Sequence, residues 1–272
     1  MTSPSSGPFR LLVGDAPLDG AWNMALDRAI QLERAAGRSP ATLRLYGWAR
    51  PTVSLGRFQN LDSVDVDACR SEGIDIVRRF TGGRGVLHDD EVTYSLVAGL
   101  EDGVPRGTTA SYRFLCAALV ETYRRLGVEA DVTNRPRGAR SSGACYLHAT
   151  HADVSAGMRK LSGSAQVWHR GVALQHGSFV LSRDIDREAR VFRLTPAEAC
   201  DLAATTATVT DLVAARPTRT DLDAAIAVAF ERLFARPFER GTITENETAE
   251  ALGLMKEVDI VSNSRTGARA SA

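Results

Sequence analysis

The hydrophobic period of this chain changes part-way along it. Up to Leu181 the apolar residues fall in short β-rich runs broken by Gly, Pro and Arg: Thr42 to Tyr46, Thr52 to Leu55, Ile74 to Val77 and Glu91 to Val97. A longer β-like stretch follows from Cys145 to Leu181, with turns expected at Gly157, Gly163, Gly171 and Gly177. Two helices interrupt the runs. Asp19 is placed to cap the first, before Trp22, Ala25, Leu26, Ala29 and Leu32; the second, Thr108 to Leu126, sets Phe114, Leu115, Ala118, Leu119 and Tyr123 on one side. Beyond Arg183 the spacing becomes helical, with Pro196 in the first turn of one helix, a second from Asp221 to Phe234 and a third from Glu245 to Met255. Strands segregated from helices in this way predict an α+β domain with a small helical appendage. The expected limits are a flexible N-terminus at 1–8, a main domain at 9–186, the appendage at 187–258 and a disordered tail at 259–272.

At 272 residues, with 44% hydrophobic and 24% charged residues, the chain has the make-up of a soluble globular protein with a sizeable core. Its formal net charge is zero, so no overall field recruits nucleic acid or an anionic membrane. Met1 to Pro8 has neither the basic start nor the apolar core of a secretory signal, and no stretch approaches the length of a membrane-spanning helix. Cys69, Cys116, Cys145 and Cys200 lack CxxC spacing, which speaks against a zinc site and a disulfide framework and for a reduced, cytoplasmic setting.

Only two of the 33 basic residues are lysines. Where a chain uses arginine so consistently, a retained lysine draws interest, because a compact ammonium can give up its proton and a guanidinium cannot. Lys160 lies in Arg159-Lys160-Leu161-Ser162-Gly163-Ser164-Ala165-Gln166, fifteen residues after Cys145. By itself it reads first as a surface leftover, since perturbed groups are a minority. Its neighbourhood makes it a chemical candidate.

Three segments carry chemistry. Arg78-Arg79-Phe80-Thr81-Gly82-Gly83-Arg84-Gly85-Val86-Leu87-His88-Asp89 joins two β-segments through a glycine-rich turn whose amides can form a nest for an anion or a carbonyl. The Lys-Ser/Thr ending of a phosphate loop is missing and no helix follows, so the turn alone is a weak nucleotide signal. In the second segment Cys145 is a nucleophile in need of a cation, a base or backbone donors, with Lys160, His148 and His151 nearest in sequence. Cys69 and Cys116 lie in helical patterns and read as core, and Cys200 belongs to the appendage. The third segment, Lys160 to Gln166, is followed by Gln175-His176-Gly177-Ser178; a turn at Arg170-Gly171 would bring the two together. On a strand, His176 reads evenly as a satisfied core group or a catalytic one.

Together, Arg78 to Ser95, Ala144-Cys145, Arg159 to Gln166 and Gln175 to Ser178 resemble the lipoate/biotin protein ligase family, and most closely its cysteine-dependent, LipM-type octanoyltransferases. The resemblance runs from about Leu11 to Leu181 and implies a mixed or antiparallel sheet with packed helices, the catalytic domain then being 9–186. It implies acyl transfer without ATP, cofactor or metal: Cys145 takes an octanoyl chain from acyl carrier protein and passes it to a lysine of a lipoyl-domain protein, such as the glycine cleavage H protein or a dehydrogenase E2. Lys160 would stabilise the acyl carbonyl and favour the thiolate. Arg79, Gly82, Gly83, Arg84, His88, Ser162, Gly163, Ala165 and His176 would bind the substrate, with amides around Gly82, Gly83 and Gly163 as carbonyl donors. The Pro-Ser pair common after the family's cysteine is replaced here by Tyr146-Leu147-His148-Ala149-Thr150-His151.

Other readings share these residues. An ATP-dependent lipoate ligase would hold a phosphate on the glycine turn and the acyl-adenylate at Lys160, and would tolerate loss of Cys145. An amidotransferase between two lipoyl domains would use the same cysteine. An acyl-binding regulatory module would have kept the pocket and lost turnover, against which the pairing of Cys145 with Lys160 argues.

Overall fold

The computed structural model describes residues 7–14, 16–133, 143–147 and 153–261. In chain order, β1 (Phe9–Val13) leads to α1 (Gly20–Ala35), β2 (Thr42–Tyr46), β3 (Thr52–Leu55), α2 (Val66–Ser71), β4 (Asp75–Arg78), β5 (Val86–His88) and β6 (Glu91–Gly99). Then come α3 (Thr108–Arg125), β7 (Asp131–Val132), β8 (Val154–Ala156), β9 (Arg159–Ser162), β10 (Ser164–His169) and β11 (Val172–Val180). The chain continues through α4 (Ile185–Val191), α5 (Pro196–Thr205), α6 (Arg219–Phe234), β12 (Phe238–Arg240), α7 (Glu245–Val258) and β13 (Asp259–Val261). Asp19 caps α1 by accepting from the amides of Ala21 and Trp22, a cap that contributes about 1 kcal/mol. Thr195, Thr218 and Thr244 close capping boxes on α5, α6 and α7 with Glu198, Asp221 and Glu247.

The mixed α+β class is as expected. A six-stranded sheet runs in the order β10-β11-β6-β2-β1-β12, a four-stranded sheet in the order β13-β4-β3-β5, and β7, β8 and β9 form a third. Alternate residues of the large sheet enter different cores. Leu11, Leu43, Leu45, Tyr94 and Leu96 pack with residues of α3 and α6, while Leu12, Tyr46, Val97 and Leu174 pack with α1 and α7. Both faces are covered, so β2 is buried at every position.

Two local expectations shift. Gly177 marks no turn: it lies within β11, where a Cβ would come within 2.7 Å of the Gly163 carbonyl oxygen, so a close approach of backbone requires the glycine. Strand β4 begins one residue later than Ile74, whose amide donates to the Cys69 carbonyl at 2.8 Å and so still belongs to the end of α2.

The residues beyond 187 do not form an appendage. β12 extends the main sheet parallel to β1, pairing Phe238 with Phe9, and β13 pairs with β4. Phe230 of α6 is fully buried, its ring centroid 5.6 Å from that of Tyr94. Arg10 of β1 meets Glu247 of α7 in a buried ion pair at 2.5 Å. The helical period was read correctly, but period does not reveal which partner a helix covers. Likewise the expected tail contributes residues 259–261 to a sheet; 262–272, like 1–6, lie outside the described residues.

Candidate active site

Three supports hold the glycine turn between β4 and β5. Gly83 has φ +96°, and its carbonyl oxygen comes so close to Gly56 that a Cβ on Gly56 would lie 2.0 Å away. Arg79, 5% exposed, turns its guanidinium back into its own loop, donating to the carbonyls of Gly82 at 2.9 Å, Arg84 at 2.7 Å and Ser54 at 2.6 Å. Thr81 bonds His176 Nε2 at 2.8 Å.

The Cys145 loop lies on this turn. Gly85 donates to the Gly143 carbonyl at 3.0 Å and the Cys145 amide donates to the Gly85 carbonyl at 2.8 Å, a short parallel bridge. That amide is therefore committed, and oxyanion donors must come from elsewhere. Cys145 is half-buried. Burial pushes the Cys69 thiol up to about 11 and the Cys116 thiol further, which makes both inert at neutral pH.

Strand β9 supplies Lys160. Its ammonium sits 3.3 Å from the Cys145 carbonyl oxygen and 3.0 Å from Asp153 Oδ2, with the Tyr146 ring centroid 5.3 Å away. A Cβ on Gly163 would be 3.2 Å from both Cε and Nζ of this lysine, so Gly163 leaves room for its end. Lys160 is only 5% exposed, which rules out a surface leftover.

Cys145, Arg79, Gly83, His88, Gly163, Ala165 and His176 line one cavity, whose apolar wall includes Met24, Trp48 and Val86. Three other expected residues support it from outside: Lys160 through Cys145, Gly82 through Arg79, and Ser162, which donates to the Ser178 carbonyl at 2.9 Å. Arg84 faces instead a wider hollow of about 720 Å³ on the outer side of the turn, shared with Gly83, Phe58 and Arg193. His148 and His151 lie outside the described residues. Among the described residues no group of three or more His, Cys, Asp or Glu side chains is gathered to hold a metal ion.

Both pocket histidines are organised by buried carboxylates. His88 faces Glu91 through Nδ1 at 2.8 Å and Ser54 through Nε2 at 2.8 Å, and stacks on Trp48 at 4.1 Å. His176 Nδ1 faces Asp27 at 3.3 Å, and Asp27 in turn holds Arg44 at 2.8 Å and the Tyr46 hydroxyl at 3.0 Å. Burial pushes the His176 imidazolium down by more than Asp27 raises it, so the ring is neutral, with Nδ1–H donating to Asp27 and Nε2 accepting from Thr81. Burial drives the Asp27 and Glu91 carboxyls up, but their hydrogen-bonding and charged partners outweigh it and hold both below the ordinary range.

Asp27, Glu91, Asp153, Ser54 and Trp48 escaped the sequence reading. One signal was present: Asn23, Asp27 and Gln31, all 1% exposed or less, recur every four residues on α1, a polar stripe along a buried face. Asp153, just before β8, carried none.

The description "Lipoyl protein ligase A/B catalytic domain" matches residues 19–231. Octanoyltransferase LipM of Moorella thermoacetica is 38% identical over 251 residues, covering 88% of this chain and 90% of that protein. Octanoyltransferase LipM of Kyrpidia tusciae is 40% identical over 247 residues, covering 85% and 90%. Among solved structures, lipoate-protein ligase A bound with ATP superposes with a TM-score of 0.76 at 26% identity, over 93% of this chain and 95% of that one. With the glycine turn and the cysteine on one cavity and the lysine against the carbonyl of that cysteine, the chain belongs to the lipoyl protein ligase A/B catalytic-domain family.

Proposed function

We propose that the chain moves an octanoyl group from acyl carrier protein to a lysine of a lipoyl-domain protein through an acyl-enzyme on Cys145, in the cytoplasm. That it is an octanoyltransferase of lipoate biosynthesis rests on its curated relatives. The observation that carries the mechanism is the half-buried Cys145, on the wall of the cavity with the Lys160 ammonium against its own carbonyl.

The Cys145 thiolate attacks the thioester carbonyl, and the carrier thiolate leaves and takes up a proton. The acceptor lysine, as the free amine, then attacks the acyl-Cys145 carbonyl; Cys145 departs as thiolate and the new amide nitrogen loses a proton. Two thioester steps let donor and acceptor use one site in turn. Lys160, beside the reacting cysteine, supplies positive charge where the carbonyl oxygen becomes negative. The apolar wall takes the chain, at about 0.8 kcal/mol per buried methylene, which selects length only coarsely. His88 and His176, both already committed to buried carboxylates, shape the pocket.

The test is intact mass after incubation with octanoyl acyl carrier protein without ATP. An octanoyl adduct that hydroxylamine removes and Cys145→Ala abolishes is expected. Because the fold is shared with an ATP-bound ligase, free octanoate with ATP and magnesium is the counter-arm. Activity there, retained in Cys145→Ala and with no adduct from the carrier, would overturn the reading. An octanoylated H protein offered as donor distinguishes transfer between lipoyl domains.

A further inference from the structure

Two buried cations stand near Cys145, and they differ in what neutralises them. Lys160 is ion-paired to Asp153 at 3.0 Å. Arg79 lines the cavity with Cys145, yet its hydrogen bonds go only to the carbonyls of Ser54, Gly82 and Arg84 and to the Ser54 hydroxyl at 3.2 Å; among the described residues it has no carboxylate partner. The other buried cations near this pocket are compensated: Arg44 by Asp27, and Arg183, stacked on Tyr146, by Glu188. A buried guanidinium held only by neutral dipoles keeps most of its field, and the sulfur on the same cavity wall lies within that field.

Arg79 is also mechanically linked to the nucleophile. It grips the carbonyls of Gly82 and Arg84, and the next residue, Gly85, accepts from the Cys145 amide. We infer that Arg79 is a positioning residue rather than a substrate ligand: it clamps the turn on which the Cys145 backbone rests, and supplies the uncompensated positive charge that holds the sulfur as thiolate. This leaves Lys160 to the acyl carbonyl. Burial pulls the Arg79 guanidinium down to about 10, and a negative charge on Cys145 would push it back up. The inference rests on Cys145 as nucleophile, but its test needs neither donor nor acceptor.

Alkylation by iodoacetamide, followed by intact mass, reads the thiolate population directly. A Cys200→Ser background removes the exposed thiol, and Cys69 and Cys116 are buried. Arg79→Met is expected to slow Cys145 alkylation about tenfold at pH 7 and to come within twofold of the parent at pH 10, where the thiol ionises unaided. An unchanged rate at pH 7, or an equal loss at both pH values, would overturn the charge role. Should Arg79→Met fail to fold by circular dichroism, Lys160→Met decides: retention of the pH 7 rate within threefold supports Arg79, whereas a tenfold loss assigns the thiolate to Lys160. Failure of the octanoyl adduct in wild type, with alkylation behaving as expected, would sink the transfer reading and leave this one standing.

Discussion

Lys160 is held in a slot that fits an ammonium. Its nitrogen meets the Cys145 carbonyl at 3.3 Å and Asp153 at 3.0 Å, and Gly163 makes room for the end of the side chain. A guanidinium keeps the charge but is planar and wider, and its charge centre falls elsewhere. Lys160→Arg should therefore lower kcat for octanoyl transfer by about a hundredfold, the scale of losing one oxyanion donor, with a folded circular-dichroism spectrum. Turnover at the wild-type rate would show that only the charge matters. At this scale the sequence was informative about reactive groups and silent about their counter-charges. Cys145 and Lys160 stood out by residue type and by the motif around each. Asp153, in a stretch of sequence with no regular hydrophobic period, had nothing to mark it as the partner of Lys160. Arg79 was legible as part of the motif, but that its donors turn inward onto its own loop depends on the path of the turn.

At the scale of elements, the glycine turn is braced by β3 through Ser54 and by β11 through His176, behind which stands Asp27 of α1. The strands β2 and β3 were legible to the residue because each is a β-rich run closed by Gly, Pro or Arg, and α1 because Asp19 caps it. What could not be read was that α1 is buried on two sides, between the large sheet and α7, so that Ile30 and the stripe of Asn23, Asp27 and Gln31 are as hidden as the expected apolar face. That stripe brings Asp27 to His176, with a consequence for stability against pH. Burial depresses the folded His176 pKa, whereas an unfolded histidine titrates near about 6.5. As pH falls below that point the unfolded chain takes up a proton that the folded chain refuses, so stability declines toward acid. The depressed Asp27 and Glu91 carboxyls contribute stability that is present above their unfolded values, about 3.9 and 4.3, and lost only as pH falls below those. The window between pH 7 and 5 thus belongs mainly to histidine, with His169, also depressed by burial, acting in the same direction. The melting temperature should drop between pH 7.5 and 5.5 in wild type and drop less in His176→Gln, whose amide can still donate to Asp27. Equal drops in the two proteins would remove His176 from the account.

For the molecule as a whole, the question is whether the C-terminal third folds with the site or beside it. Glu247 is fully buried and joins α7 to β1 through Arg10, which also donates to the Thr242 carbonyl at 3.0 Å, and Ser39 donates to Glu247 at 2.7 Å. Removing one member of a buried pair leaves the other charge desolvated and alone, a loss of about 3–5 kcal/mol. Glu247→Ala should therefore lower the melting temperature by about 10 °C, at roughly 2–4 °C per kcal/mol for a chain of this size. Replacing both partners, as Arg10→Met with Glu247→Leu, should recover most of that loss, because no charge is then stranded. The three tryptophans, Trp22, Trp48 and Trp168, all lie in the N-terminal two thirds, so their fluorescence reports on the part that carries the cavity. If β12, α6 and α7 are integral to the sheets and cores they join, tryptophan fluorescence and helix circular dichroism must shift together in Glu247→Ala. A fluorescence midpoint left at the wild-type value while the helical signal melts early would mean that the C-terminal helices unfold alone, and that the catalytic cavity does not depend on them.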